Sequence, residues 1–157
     1  MTAPLTTVRP ATLRDLAVLV EFNAALARET EAKELDRATL ERGVAALLAD
    51  ASKGLYFVAE RGGAVVGALC ITCEWSDWRN AVFWWIQSVY VREEARRQGV
   101  YTALYGDVER RARASADVCG LRLYVDHDNE RAQSVYAALG MRESHYRFFE
   151  IDFVLGT

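Results

Sequence analysis

Arg92, Arg96 and Arg97 stand just ahead of a lone glycine, Gly99, where the apolar run "AVFWWIQSVYV" ends and a helical spacing begins. The start of a helix leaves about four backbone N–H groups without internal partners, and the aligned peptide dipoles place partial positive charge there. Such an end accepts an anion. In "RRQGVYT" the glycine lets successive amides turn toward one point and lets a ligand come close, while the arginines add charge. A pyrophosphate matches that description. Neither G-x-x-x-x-G-K-[ST] nor G-x-G-x-x-G occurs, so the stretch is not a P-loop or a dinucleotide fingerprint. A loop glycine flanked by surface arginines accounts for the same residues, and the stretch alone leaves both readings open.

A second group of chemically capable side chains lies in "CEWSDWRNAVFWW", with Glu74 and Asp77 among Trp75, Trp78, Trp84 and Trp85. Carboxylates attract a cationic amine and accept its proton, and four tryptophans within eleven residues exceed what a turn needs. An aromatic-walled pocket or a subunit interface follows. Ordinary turn chemistry is the competing account, with Asp77 shaping a hairpin and Glu74 pairing Arg79. Adjacent strand residues point oppositely, so Trp84 and Trp85 belong to different faces.

The elements that must position these groups are legible as patterns. The stretch "LTTVRP" alternates like a strand and stops at Pro10, after which Thr12 and Asp15 form a helix start. Leu16, Leu19, Val20, Leu26 and Ala27 repeat at helical spacing, with Asn23 on the same stripe. Asp36 caps a second helix with the stripe Leu40, Val44, Leu47, Leu48 and an end near Gly54. Three β-branched and aromatic runs, "LYFVAE", "AVVGALCITCEW" and "AVFWWIQSVYV", read as an antiparallel meander. Val100, Leu104, Val108 and Ala112 define a third helix, "LRLYVD" a strand, and Ala132, Val135, Tyr136 and Leu139 a fourth helix closed by Gly140. "HYRFFEIDFV" supplies a last strand, or two short ones. One α/β domain spanning 1–157, a mixed sheet covered by helices, buries that many apolar faces.

Composition narrows the classes. Nineteen basic against 22 acidic residues give a net charge of −3, which argues against a nucleic-acid binder held by phosphate neutralisation. No apolar run reaches the ~18 residues a membrane span needs, and the N-terminal residues show no export pattern, so a cytoplasmic protein is expected. Of the three cysteines, Cys70 and Cys73 lie three apart on a strand and cannot share a ligand. His127 and His145 fit no metal or triad pattern, and no metal is expected.

The strand ending "SVYV", the run Arg96-Arg97-Gln98-Gly99-Val100-Tyr101 and the downstream "LYVDHDNERAQSVYAALGM" together resemble the GNAT superfamily of acetyl-CoA-dependent N-acetyltransferases, whose phosphate motif is [RQ]-x-x-G-x-[GA]. The resemblance covers essentially the whole chain and departs at Tyr101, where the family has Gly or Ala. It implies an α/β GNAT fold: a mixed, mostly antiparallel sheet of six to seven strands with about four helices, the fourth and fifth strands splayed. It implies acetyl-CoA as co-substrate, held by the backbone of Val89, Tyr90 and Val91, by Arg96, Arg97, Gln98, Gly99, Val100, Tyr101 and Thr102, and by Asn129, Ala132 and Tyr136. Tyr136 matches the family's general acid. The strand before the motif lacks the glutamate some members carry, so a water chain or a residue from elsewhere must serve as base, with Glu74 put forward and Asp77, Glu29 and Glu31 the other candidates. Glu29, Trp75, Asp77 and Trp85 are expected on the acceptor. A small cationic amine is the expected acceptor and a homodimer the expected assembly. A catalytically weak acyl-CoA sensor and a protein N-terminal or lysine acetyltransferase are the alternatives.

Overall fold

The computed structural model describes residues 5–155, which form two compact units, Met1–Tyr124 and Val125–Thr157. The first unit holds β1 (Thr7–Pro10), α1 (Leu16–Glu31), α2 (Arg37–Ala49), β2 (Leu55–Arg61), β3 (Ala64–Ser76), β4 (Ala81–Val91), α3 (Val100–Ala114) and β5 (Val118–Leu123). The second holds α4 (Glu130–Ala138). The sheet runs β1-β2-β3-β4-β5, antiparallel except for the parallel β4–β5 pair.

Strand alternation sorts the core into two faces. On one face Val58, Ala68 and Cys70 pack with Leu19, Val20 and Phe22 of α1 and Val44 of α2. On the other, Leu69 and Ile71 are fully buried beneath α3, whose Val100, Leu104 and Val108 are buried as the helical stripe requires. Gly67 lies directly under that helix, since a Cβ there would stand 3.0 Å from Val100 Cγ1 and 3.4 Å from Leu104 Cδ1. Burial pushes the Cys70 thiol up to about 11, while Cys73, on the other sheet face and nearer the end of β3, is exposed.

The start of α1 is built as its sequence implies. Asp15 accepts from the Thr12 N–H at 2.7 Å and takes two bonds from the Arg9 guanidinium, at 2.8 and 2.9 Å. Arg9 also reaches Glu60 on β2 at 2.6 Å, so one guanidinium ties β1 to its neighbour strand and to the helix entry. The Arg9 bonds hold the buried Asp15 carboxyl below the usual carboxylate range. A group whose folded pKa is depressed stabilises the fold above its unfolded pKa, ~3.9, and that contribution fades as pH falls through the folded value. Asp15→Asn is therefore expected to cost about 2 kcal/mol at pH 7. In urea unfolding followed across pH, the gap to the parent should close below pH ~4.

Three sequence expectations change. The sheet has five strands among the described residues rather than six to seven, because residues 145–154 carry strand-forming side chains but form no ladder. The fifth strand begins at Val118, earlier than Leu121, since Gly120 lies beneath the Phe83 ring, where a Cβ would come within 2.8 Å of it. The second helix ends at Ala49, before the turn that leads to Gly54.

Candidate active site

β4 is longer than the partner on its outer side. Its pairing with β5 stops at Ile86–Leu123, while β4 continues to Val91 against β3. At the same point the β3–β4 register steps from Ile71↔Ile86 to Cys70↔Ser88, which leaves Gln87 as a bulged extra residue. Bulge and lost pairing together make the expected splay. The Arg92 N–H donates to the Val66 carbonyl at 2.9 Å. By antiparallel alternation the backbone groups of Tyr90 and Ser88 then face β3, and those of Val89 and Val91 face the outer edge. The Val91 carbonyl accepts from Arg96 Nε at 2.9 Å, in keeping with that outward direction.

The edge runs straight into a turn whose backbone is left-handed twice, at Arg97 (φ 61°) and Gly99 (φ 80°). Gly99 caps α3 without a side chain, and the first helical bond is Ala103 N–H to the Gly99 carbonyl at 3.0 Å. The amides of Val100, Tyr101 and Thr102 precede that bond, at the helix start where N–H groups point outward along the axis. Nothing lies within 4 Å of a Cβ built on Gly99, so the cap position itself is uncrowded. Tyr101 turns its ring toward Tyr105, with centroids 6.2 Å apart, and so its bulk lies along the helix.

Side chains brace this turn from two directions. Arg96 Nη2 donates to Glu29 Oε2 at 2.6 Å, and Tyr90 Oη donates to Glu29 Oε1 at 3.0 Å. The Arg96 guanidinium holds the Glu29 carboxyl below its ordinary range, while burial and the neighbouring Glu29 raise the Tyr90 phenol. Glu29 thus joins the end of α1 to β4 and to the turn, a role its acidic local sequence does not signal. From the other side Arg61 bonds both the side chain and the main-chain carbonyl of Gln98. Arg61 is a site residue that sequence reasoning missed, because its partner lies 37 residues away.

At the far end of β4 the hairpin cluster is partly assembled. Trp85 Nε1 donates to Glu74 Oε2, and Arg122 of β5 donates to Glu74 Oε1 at 2.7 Å. Glu74 therefore pairs Arg122 rather than Arg79. The Arg122 guanidinium lies 3.6 Å over the Phe83 ring, and Trp85 stacks on Tyr124 at 4.4 Å. Trp84, on the opposite face, lines a cavity of about 270 Å³ with Leu47, Phe57 and Arg111, which contains none of the expected site residues. Trp75 and Trp78 are 61% and 87% exposed, and Asp77 accepts from the Trp78 N–H at 2.9 Å, shaping the turn.

In the second unit Asn129 caps α4 by accepting from the Ala132 N–H at 3.0 Å. Ala132, Tyr136 and Leu139 form its half-buried stripe, while Val135 is more exposed. The helix ends as expected at Gly140, with the Met141 N–H on the Tyr136 carbonyl at 3.0 Å. Among the described residues no group of three or more His, Cys, Asp or Glu is arranged to hold a metal.

Residues 19–141, which include the splayed strand and the glycine-capped helix, match the family model described as Acetyltransferase (GNAT) family. The chain belongs to the GNAT acetyltransferase family. A crystal structure titled as a possible acetyltransferase from Clostridium difficile 630 is 42% identical, covering 96% of this chain and 99% of that one with a TM-score of 0.89. The GNAT fold is shared at lower identity by a ribosomal-protein-alanine N-acetyltransferase from Brucella melitensis biovar Abortus 2308, with 17% identity, 95% and 100% coverage and a TM-score of 0.75. It is shared also by an aminoglycoside N-acetyltransferase in complex with CoA, with 15% identity, 97% coverage of both chains and a TM-score of 0.77. No curated protein matches the chain.

Proposed function

We propose that this GNAT protein transfers the acetyl group of acetyl-CoA to a primary amine by direct attack, and that its acceptor is a small cationic amine. The observation that carries the reading is the continuity of two features, the β4 edge left unpaired by β5 beyond Ile86 and the start of α3 at its uncrowded glycine cap. These residues fit the cofactor. The edge groups of Val89 and Val91, with Tyr90 between them, suit an amide-bearing arm added like a strand. The turn from Arg96 to Gly99 and the amides of Val100, Tyr101 and Thr102 suit a pyrophosphate. Asn129, Ala132 and Tyr136 are assigned to the cofactor by their motif positions.

Acetyl-CoA supplies an activated acetyl thioester. The Val89 N–H serves as a donor to an oxygen on which negative charge develops. An ordinary phenol, near ~10, is a weaker acid than a thiol, near ~8.5, so full proton transfer to a thiolate is uphill by roughly 2 kcal/mol, and the role proposed for Tyr136 is a strong hydrogen bond to the sulfur. Glu74 accepts the amine proton, and Trp75 and Trp85 beside it receive the acceptor. Glu29, held by Arg96 and Tyr90 at the other end of β4, and Asp77, in the hairpin turn, are too far apart to hold one small amine together. The active form is proposed to be a cytoplasmic homodimer.

Release of free thiol from acetyl-CoA across polyamines, aminoglycosides, amino acids and short peptides tests this reading. Turnover is expected with the polycationic small amines. Faster turnover of peptides would move the acceptor to a protein N-terminus or lysine. Binding of acetyl-CoA without thiol release from any acceptor would favour a non-catalytic sensor.

A further inference from the structure

We infer that Arg61, at the end of β2 and outside the phosphate motif, is a positioning residue that sets the orientation of the pyrophosphate-binding amides; this rests on the proposed use of acetyl-CoA. Its guanidinium makes a three-pronged contact. Nη1 donates to Gln98 Oε1 at 2.7 Å, Nη2 to the Gln98 main-chain carbonyl, and Nε to Thr6 Oγ1 at 2.6 Å. Gln98 is in turn fixed by its own amide, Nε2 donating to the Glu94 carbonyl at 2.7 Å.

The main-chain bond matters most. In a trans peptide the C=O and N–H of one plane point in opposite directions. Among the described residues no peptide bond is cis, so holding the Gln98 carbonyl against Arg61 turns the Gly99 N–H away from Arg61. That amide is followed by those of Val100, Tyr101 and Thr102, which precede the first helical bond of α3. Arg97, next to the clamped residue, holds a left-handed conformation that a non-glycine residue adopts only when its surroundings impose it. The Arg61 contacts to Gln98 on one side and the Glu29–Arg96 pair on the other supply that constraint. Arginine suits the task because its planar fork reaches a carbonyl and a side-chain oxygen together, which an ammonium cannot do in fixed geometry.

A residue that acts through the amides should matter only to a donor that carries a pyrophosphate. Arg61→Ala is expected to weaken acetyl-CoA binding about tenfold in calorimetry, the scale of one charge-assisted hydrogen bond spent on pre-organisation. Its KM for acetyl-CoA should rise in step, with kcat at saturation within about twofold. With S-acetylpantetheine, which lacks the pyrophosphate, kcat/KM of parent and variant should agree within about twofold. Arg61→Lys keeps the charge without the fork and should recover less than half of the lost affinity in logarithmic terms. Circular dichroism checks folding, and Arg61→Gln carries the comparison where the alanine variant does not fold. Equal loss with both donors, no loss with either, or full recovery in Arg61→Lys would overturn the inference. Parent protein that binds no acetyl-CoA would instead refute the reading on which it stands, and the inference with it.

Discussion

Tyr136→Phe is expected to lower kcat by about a hundredfold while leaving the KM for acetyl-CoA within about twofold, the low end of what a positioned acid contributes. Amine attack on a thioester succeeds only when the sulfur departs, and a hydrogen bond to the developing thiolate lowers that barrier selectively. Phenylalanine keeps the ring on the half-buried stripe of α4 and removes only the hydroxyl. A diagnostic follows from the same chemistry. With an aryl thioester as acetyl donor, whose thiolate leaves without assistance, parent and variant should differ much less. A tyrosine that merely packed in the core would slow both donors equally or neither. Full turnover of acetyl-CoA by a folded Tyr136→Phe protein would remove the acid role.

The elements that positioned the site were legible where a local pattern carries the information. Helical stripes such as Val100, Leu104, Val108 and Ala112 are written within a few turns, and all four are buried. The cap of Asn129 and the turn at Gly99 are equally local, since they depend on neighbours three or four residues away. What failed was long-range pairing. Tyr146, Phe148, Phe149, Ile151 and Phe153 have the side chains of a strand, yet β propensity expresses fitness for a pleated surface and does not supply a partner. The site shows the same division. Its motif residues were visible, whereas the Glu29–Arg96 pair spans 67 residues and Glu74–Arg122 spans 48. For Glu74 the local candidate Arg79 looked sufficient. The parallel return of β5 brings Arg122 beside it instead, through a crossover that no local spacing encodes.

Gly54→Ala is expected to be the most destabilising small substitution in the first unit, at about 4 kcal/mol, combining backbone strain with overpacking. Gly54 joins α2 to β2 with φ at 149°, a conformation essentially confined to glycine. A Cβ there would stand 2.3 Å from the Ile71 carbonyl oxygen and 3.3 Å from Leu47 Cδ1. The leucine can rotate, but the carbonyl belongs to the β3 ladder and cannot move without parting the Leu55↔Ile71 pair. Gly63→Ala supplies the control, since its φ is also positive at 81° and nothing lies within 4 Å of its Cβ. That variant should lose only about 1 kcal/mol. The difference between the two isolates the clash, and in thermal unfolding it should appear as a gap of roughly 10 °C. Ile71 also pairs Ile86, the residue next to the Gln87 bulge and the one at which β5 pairing ends. Strain at Gly54 therefore reaches the outer edge of β4 through a single strand, and the folded fraction of Gly54→Ala should bind acetyl-CoA more weakly than Gly63→Ala does. Equal stability of the two variants would show that the α2–β2 connection yields, and that the β4 edge is insulated from it.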